Sequence, residues 1–401
     1  ARPLCRELSV PSSGELAVAA PPRVVHVIQR LAMGGMENGI VNLINGTQGQ
    51  VTHAVICLAD FSDFRERIRD QSVPVIALHK QPGVDAAVYL RLWRAIRSLR
   101  PDIVHSRNLP AVDCAPISRA AGVAAHLHGE HGWDVHDLHG TSAKYLRYRR
   151  WMRPFVSRYV AVSRDIEQWL VHSVGIDATR ITQIYNGVDT QRFQPRDASF
   201  RRPADAPFGM GDGTIIVGSV GRLEAVKDPL QLARAFAALV TSSSEMRRRA
   251  RFVWVGDGPL RAALEQQLES SGVRDLAWLP GARSDVPELL RLCDLFVSSS
   301  LNEGISNGIL EAMASGLPVV ATAVGGNGEL IVPNFTGELV PAGDADALAQ
   351  AMQRYLGEDL RCRRHGAAAR ARAEQHFSLH AMLDNYLALY QSLLPRRRQA
   401  A

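Results

Sequence analysis

The chain reads as an α/β protein made of two doubly wound parallel-sheet halves that face each other across a cleft. Three observations predict this. Strand-like and helix-like segments alternate from Arg23, a run rich in proline and glycine interrupts them at 195–213, and the alternation restarts at Thr214. Alternation of this kind gives a parallel sheet wrapped by helices. The 401 residues are enough for two domains of ordinary size.

Residues 1–22 are rich in Pro, Ala and Ser, carry Glu7 and Glu15, and lack a continuous apolar core. They read as a flexible leader and not as a signal peptide. In the first half, 23–194, strands are predicted over 24–28, 54–58, 73–78, 102–105, 124–128 and 158–162, with helices over 36–45, 86–99 and 111–121. Residues 195–213 (Pro195, Pro203, Pro207, Gly209, Gly211, Gly213) form a hinge or linker. In the second half, 214–378, strands are predicted over 214–220, 251–255, 276–279, 295–298 and 319–321, and a final helix is predicted over 379–394 within the closing segment 379–401. Ligands of such sheets bind at the carboxyl ends of the strands.

Hydrophobic residues make up 46% and charged residues 21%, an ordinary soluble composition. No apolar stretch approaches the ~20 residues that span a bilayer. Cys5, Cys57, Cys114, Cys293 and Cys362 are scattered without paired spacing, which argues against a zinc site or a disulfide framework and suits a reducing cytoplasm. The net charge of +6 favours anionic ligands, lipid phosphates or a membrane surface. The usual nucleic-acid recognition motifs are missing, so no nucleic-acid partner is expected.

The most informative stretch is Glu303-Gly304-Ile305-Ser306-Asn307-Gly308-Ile309-Leu310-Glu311-Ala312-Met313-Ala314. It joins two carboxylates, through a glycine-bearing turn, to a helix with Ile305, Ile309, Ala312 and Met313 on its apolar side. Such a loop sets backbone N–H groups at a helix N-terminus, where they hold an anion or a sugar hydroxyl. At about 3.6 residues per turn, Glu311 is expected two turns beyond Glu303, so the two acids meet opposite ends of a ligand.

The second half opens with Gly218-Ser219-Val220-Gly221-Arg222-Leu223-Glu224-Ala225-Val226-Lys227-Asp228-Pro229, a strand, a glycine turn and a helix starting at Pro229. Arg222 offers a planar fork and Lys227 a point charge, the cations a pyrophosphate requires. Val255-Gly256-Asp257-Gly258-Pro259 is a second strand-to-helix turn, Leu279-Pro280-Gly281-Ala282-Arg283 leads into a helix at 285–292, and Gly325-Gly326 permits close backbone approach. In the first half, Met33-Gly34-Gly35-Met36-Glu37-Asn38 follows one strand and His126-Leu127-His128-Gly129-Glu130-His131-Gly132-Trp133-Asp134 follows another. The histidine spacing fits no standard zinc pattern, so no metal is expected there. Two basic surfaces stand out: Arg91, Arg94, Arg97 and Arg100 on one helix, and the aromatic-interleaved run from Lys144 to Arg153. Either is a solvated face or a dock for anionic lipid headgroups.

These motifs resemble the E-x7-E signature and flanking loops of retaining glycosyltransferases with two Rossmann-like domains, the GT-B fold, and most resemble the large family 4. The resemblance implies that Glu303, with the backbone of Gly304, Ile305, Ser306 and Asn307, holds donor-sugar hydroxyls, and that Glu311 accepts from the ribose hydroxyls. It implies that Arg222 and Lys227, beside Gly221, grip the donor diphosphate, that Gly256 lines the nucleotide side and that Arg283 lies along the base. Gly34 and Gly35 would fold over the donor phosphate. The commoner loop ends Ala-Glu-Arg, and Met-Glu-Asn here removes a cation at position 38. The family places one active-site histidine at the strand end, where His131 fits best and His128 is the alternative, and its last helix crosses back to the first half. The implied activity is retaining, metal-independent transfer of a hexose-type unit from a nucleoside diphosphate sugar, with a UDP-sugar favoured, and no other cofactor. The Gly-Gly-Met-Glu-Asn-Gly and His-Gly-Glu-His-Gly runs look like those of bacterial exopolysaccharide transferases, including those accompanying exosortase systems, which implies a lipid-linked glycan acceptor at the inner membrane face. Two other readings use the same scaffold: a sugar-nucleotide hydrolase or epimerase, and a catalytically silent binding protein.

Overall fold

The computed structural model describes residues 20–83, 85–133, 137–208 and 213–394. Most of the expected leader, Asp134, Gly209 and Gly211 of the expected hinge, and the end of the closing segment lie outside the described residues.

The first sheet comprises β1 (Arg23–Ile28), β2 (Thr52–Cys57), β3 (Val75–Ala77), β4 (Ile103–Arg107), β5 (Ala125–Glu130), β6 (Arg158–Ala161) and β7 (Ile181–Gln183), in the order β3-β2-β1-β4-β5-β6-β7. The second comprises β8 (Ile215–Val220), β9 (Ala250–Val255), β10 (Ala277–Gly281), β11 (Leu295–Ser298), β12 (Val319–Thr322) and β13 (Gly337–Val340), in the order β10-β9-β8-β11-β12-β13. Every neighbouring pair is parallel. Each order reverses beside its first strand, between β1 and β4 and between β8 and β11. A crevice therefore opens at the carboxyl ends of those strands. The α/β class with two doubly wound sheets is the architecture observed.

Two strands were not foreseen. β7 is only Ile-Thr-Gln, and β13 reads Gly-Glu-Leu-Val; both are edge strands too short for periodicity to show. One helix starts later than its apolar spacing implied. The helix Asn307–Ala314 begins after Ile305, so Glu303 stands in the loop before it and Glu311 about one turn inside it. Ser306 caps its start by accepting from Ile309 N–H, which ends the run toward Glu303.

The helix Leu379–Leu393 returns to the first half. Met382, Leu383, Tyr386, Leu389 and Tyr390 pack with Val24, Leu43, Ile103 and Leu127 in one core. Its start is bonded to the first half's exit, with Val188 N–H donating to Phe377 O and Leu379 N–H to Val188 O, both at 2.9 Å. Gly187 allows this approach, because a Cβ there would stand 2.6 Å from the Leu379 Cα. Glu329 joins the halves a second time. Its carboxylate accepts from Arg164 N–H (3.0 Å), Asp165 N–H (3.1 Å) and the Tyr185 hydroxyl (2.8 Å).

Candidate active site

Loops from both sheets meet at the crevice. The loop after β8 is nested in the loop after β9: Gly221 N–H donates to Val255 O (3.0 Å) and Leu223 N–H to Asp257 O (2.9 Å). Gly256 has φ +142 and its missing Cβ would lie 2.0 Å from Gly221 O, so only glycine fits between the loops. Lys227 ends a short turn before the helix Pro229–Ser242, and its stem passes over Gly221.

Lys227 Nζ is ion-paired with Glu303 Oε1. The Ser300 hydroxyl donates to the same oxygen at 2.6 Å, while Glu303 N–H donates to Asn302 Oδ1 at 2.7 Å. Glu303 is 9% exposed and the Lys227 side chain 25%, so the pair sits at the bottom of the crevice and not on its rim. Arg222 is different. It pairs with Glu224 at 2.7 Å, but its side chain is 59% exposed and its charge also reaches Glu37 of the first half.

Glycines let the loops converge. A Cβ on Gly304 would stand 2.6 Å from His131 O, and one on Gly325 would stand 1.8 Å from Glu303 O. Gly326 N–H donates to Glu303 O at 3.2 Å. The Asn307 side chain reaches across to the first half, donating to Gly35 O at 3.0 Å and accepting from the Asn186 amide at 3.0 Å. A Cβ on Gly35 would meet the Asn307 amide at 2.7 Å, so a side chain there would displace this contact. Gly34 lies beneath the Glu37 carboxyl, which burial raises, against the pull of Arg222 and Arg107.

Glu311 lines a pocket with Asn38, Asn42, Asn186, Arg192 and Asn307. Burial pushes its carboxyl up to about 7, although Arg192 and Arg67 draw it down. Asn38 Oδ1 is buried without a hydrogen-bond partner among the described residues.

The two histidines separate cleanly. His128 lies inside β5, fully buried, bonded to the Ser106 hydroxyl (2.8 Å) and Glu130 Oε1 (3.4 Å). His131 is the first residue beyond the strand, beside Gly304. Both of its ring nitrogens are buried without a partner among the described residues, and burial, then Arg107, lowers it to about 3. It is a neutral imidazole with unspent hydrogen-bonding capacity, which His128 is not. Burial alone would raise the neighbouring Glu130 carboxyl, but Arg149 and His128 hold it down at about 2.

Arg283 stands apart from this cluster. Its guanidinium bonds Asp285 at 2.8 and 2.7 Å and pairs with Asp205, bracing the segment between the halves. Ser300 and Asn302 were not singled out from the sequence, although the run Ser298-Ser299-Ser300-Leu301-Asn302 leading into Glu303 is polar for a strand end. Among the described residues no group of three or more His, Cys, Asp or Glu side chains is gathered as a metal site.

Two Rossmann-like halves with a lysine–carboxylate pair, an exposed arginine and a helix N-terminus at their crevice define the class of GT-B glycosyltransferases. Sequence comparison agrees: residues 33–192 match Glycosyltransferase Family 4, and residues 214–358 match Glycosyl transferases group 1. The chain belongs to the family 4 glycosyltransferases. It is 27% identical over 326 residues to the Escherichia coli UDP-Gal:alpha-D-GlcNAc-diphosphoundecaprenol alpha-1,3-galactosyltransferase, covering 80% of this chain and 81% of the relative. It is 28% identical over 388 residues to a Mycobacterium tuberculosis GDP-mannose-dependent alpha-mannosyltransferase, covering 92% and 96%. Among solved structures, Anabaena Alr3699/HepE in complex with UDP and glucose superposes with a TM-score of 0.78 at 21% identity, covering 92% of this chain and all of that one (100%).

Proposed function

We propose that this glycosyltransferase moves a hexose-type unit, with retention and without a metal or other cofactor, from a UDP-sugar to a hydroxyl of a lipid-linked glycan at the inner membrane face, in exopolysaccharide or cell-envelope synthesis. The Lys227–Glu303 pair carries the reading. It sets a cation for the donor phosphate beside a carboxylate for the donor-sugar hydroxyls. In the transfer the donor C1–O bond to the diphosphate breaks and a bond from C1 to the acceptor oxygen forms on the same face. The acceptor's proton passes to the departing diphosphate oxygen, so no separate protein base takes part. Lys227, Arg222 and the first turn of Asn307–Ala314 stabilise the charge that grows on the diphosphate. Neutral His131 positions donor-sugar hydroxyls, and Glu311 meets the ribose.

The relative named for UDP-Gal and diphosphoundecaprenol, and the structural neighbours holding UDP, support the donor and acceptor classes. No helix of the described residues is long and apolar enough to cross a membrane, so a lipid acceptor is met from the surface. The surface offered is a joined one. Tyr89 and Tyr148 both donate to Asp113 Oδ2, at 2.6 and 2.9 Å, which ties the helices Ala87–Leu99 and Ala143–Met152 together. Arg91 and Arg149 are spent on Asp85 and Glu130, but Arg94, Arg97, Lys144, Arg147 and Trp151 (66% exposed) remain outward. Arg147→Glu with Trp151→Ala is expected to weaken sedimentation with anionic vesicles at least ~10-fold, since each basic residue near such a surface contributes about 1 kcal/mol.

A thermal-shift screen with UDP, GDP and ADP and their sugars, with and without Mg²⁺, tests the donor assignment. Metal-free stabilisation by UDP alone supports it. Stabilisation by GDP alone replaces the base, and nucleoside diphosphate release that ignores every lipid-linked acceptor favours a hydrolase.

A further inference from the structure

Arg107 closes β4 and is 2% exposed, a buried cation. A guanidinium offers only N–H donors, so any ring nitrogen it touches must accept. Its Nη1 lies 3.0 Å from His26 Nδ1 and its Nη2 3.3 Å from His105 Nδ1. Both rings, when neutral, therefore carry their proton on Nε2. The order of donors then follows without choice. His26 Nε2–H donates to His53 Nδ1 (2.9 Å), His53 Nε2–H to Thr47 Oγ1 (2.8 Å), and the Thr47 hydroxyl to Leu43 O (2.7 Å). Thr47 is the C-terminal cap of the helix Gly35–Gly46, which begins at the Gly34-Gly35 loop.

On the other side the Tyr390 hydroxyl also donates to His105 Nδ1, at 3.0 Å. His105 Nε2–H is buried and without a partner among the described residues. It borders the bare face of Gly129. A Cβ there would stand 3.3 Å from His105 Nε2 and 2.7 Å from His131 Nε2. The two imidazoles share the space above one glycine, and one of them has a proton to give.

We propose that Arg107 is a positioning residue for His131: by fixing His105 as an Nε2–H donor across Gly129, it makes His131 Nε2 the acceptor of the pair through one water, and leaves His131 Nδ1–H for the ligand. This rests on His131 being the active-site histidine of the proposed transferase. The charged and titratable groups facing His131 are Arg107, Glu130, His128 and His105. Burial and then Arg107 hold His26, His105 and His131 below the ordinary histidine range, which keeps the rings in the neutral form that the chain of bonds requires.

The test joins histidine ¹⁵N NMR with kinetics on the full chain, for Arg107→Gln, Arg107→Lys and each combined with His131→Ala. Wild type is expected to show His105 protonated on Nε2 and His131 on Nδ1. Arg107→Gln, whose carbonyl can accept from a ring N–H, is expected to mix the His105 tautomers and cut kcat ~10-fold while nucleotide affinity holds within ~2-fold. Arg107→Lys, a pure donor, recovers part of the loss. In the His131→Ala background the same Arg107 substitutions cost under ~2-fold more. His105 found on Nδ1 in wild type, or an equal kcat loss with and without His131, would overturn the proposal. A wild type that binds no nucleotide defeats the transferase reading, yet the tautomers still decide this one.

Discussion

Lys227 and Glu303 come from the loops that follow β8 and β11 of the second sheet and are ion-paired at the floor of the crevice, with Ser300 bonded to the same carboxylate oxygen. The lysine alone would be a floating cation. Held by Glu303, it is aimed before any ligand arrives, the preorganisation that electrostatic stabilisation of a leaving group depends on. Lys227→Ala and Glu303→Ala are each expected to lower kcat by ~10³-fold, near the upper end for loss of a stabilising donor. Leaving either partner unpaired costs about 1–3 kcal/mol of stability, so both variants fold. Wild-type turnover in a folded Lys227→Ala protein would falsify the phosphate assignment.

Glu311 is a buried carboxyl beside Arg192 in the pocket. Burial raises its carboxyl to about 7, so the folded state holds the proton more tightly than an unfolded chain. The sign follows: stability of the ligand-free protein is full below the ordinary carboxylate range and is lost as pH rises through about 7. Under the proposed ribose role, nucleotide binding is expected to run the opposite way, because the ionised form would accept from both ribose hydroxyls. The ionised fraction of a group near 7 rises ~10-fold between pH 6 and 8, and affinity is expected to follow. Calorimetric titration across that range, repeated on Glu311→Gln, checks it. A slope that survives the substitution places the titrating group elsewhere.

The α/β alternation and the helix start at Pro229 were legible because apolar runs, Pro229 and the glycine turns are local signals. The edge strands β7 and β13 were not, since three or four residues carry no period and their pairing is set by neighbours distant in sequence. At the site, Glu303, Lys227 and the glycines stood out as motifs. What the sequence concealed was commitment: Arg283 looks free in one dimension and is held by Asp205 and Asp285 in three. Asn302 and Asn186 act across the two halves, with Asn302 donating to Leu138 O and Asn186 to Asn307, and spacing along the chain cannot show such contacts. Arg107 was silent for the same reason, its only sequence trace being a cation that closes a buried strand.

His128 and His131 lie three residues apart and predict opposite phenotypes. His128→Ala removes a fully buried ring from Ser106 and Glu130, and should cost about 2–4 kcal/mol through the cavity and the stranded polar groups. Its folded fraction is expected to keep kcat within ~3-fold, because its ring bonds Ser106 and Glu130 and no loop residue of the crevice. His131→Ala breaks no hydrogen bond between described residues, and should leave the melting point within about 2 °C while kcat falls ~10²-fold. Melting curves and turnover on the two variants decide the matter. The reverse pattern would move the active-site role to His128.

Glu329 tests whether closure of the halves is part of turnover. Its carboxylate accepts from two N–H groups at the start of the helix Arg164–Trp169 and from Tyr185, all in the first half, while Glu329 itself belongs to the second. Hydrogen bonds to a charged acceptor contribute about 1.5–3 kcal/mol each when well formed, less where solvent reaches them. One term opposes them: Asp165 lies close enough that burial, and then Glu329, raise its carboxyl, so removing Glu329 relieves some repulsion. Three accepted bonds against one screened repulsion leave Glu329 favouring the closed arrangement. Glu329→Ala is therefore expected to enlarge the radius of gyration in X-ray scattering and to lower kcat ~10-fold. Nucleotide affinity should change less, because Lys227, Glu303 and Glu311 all remain on one half. Unchanged scattering together with unchanged turnover would show that the latch is incidental. Unchanged scattering with lost nucleotide binding would instead place Glu329 in the donor site, transmitted through Gly325 and Gly326, which lean on Glu303 and Gly304.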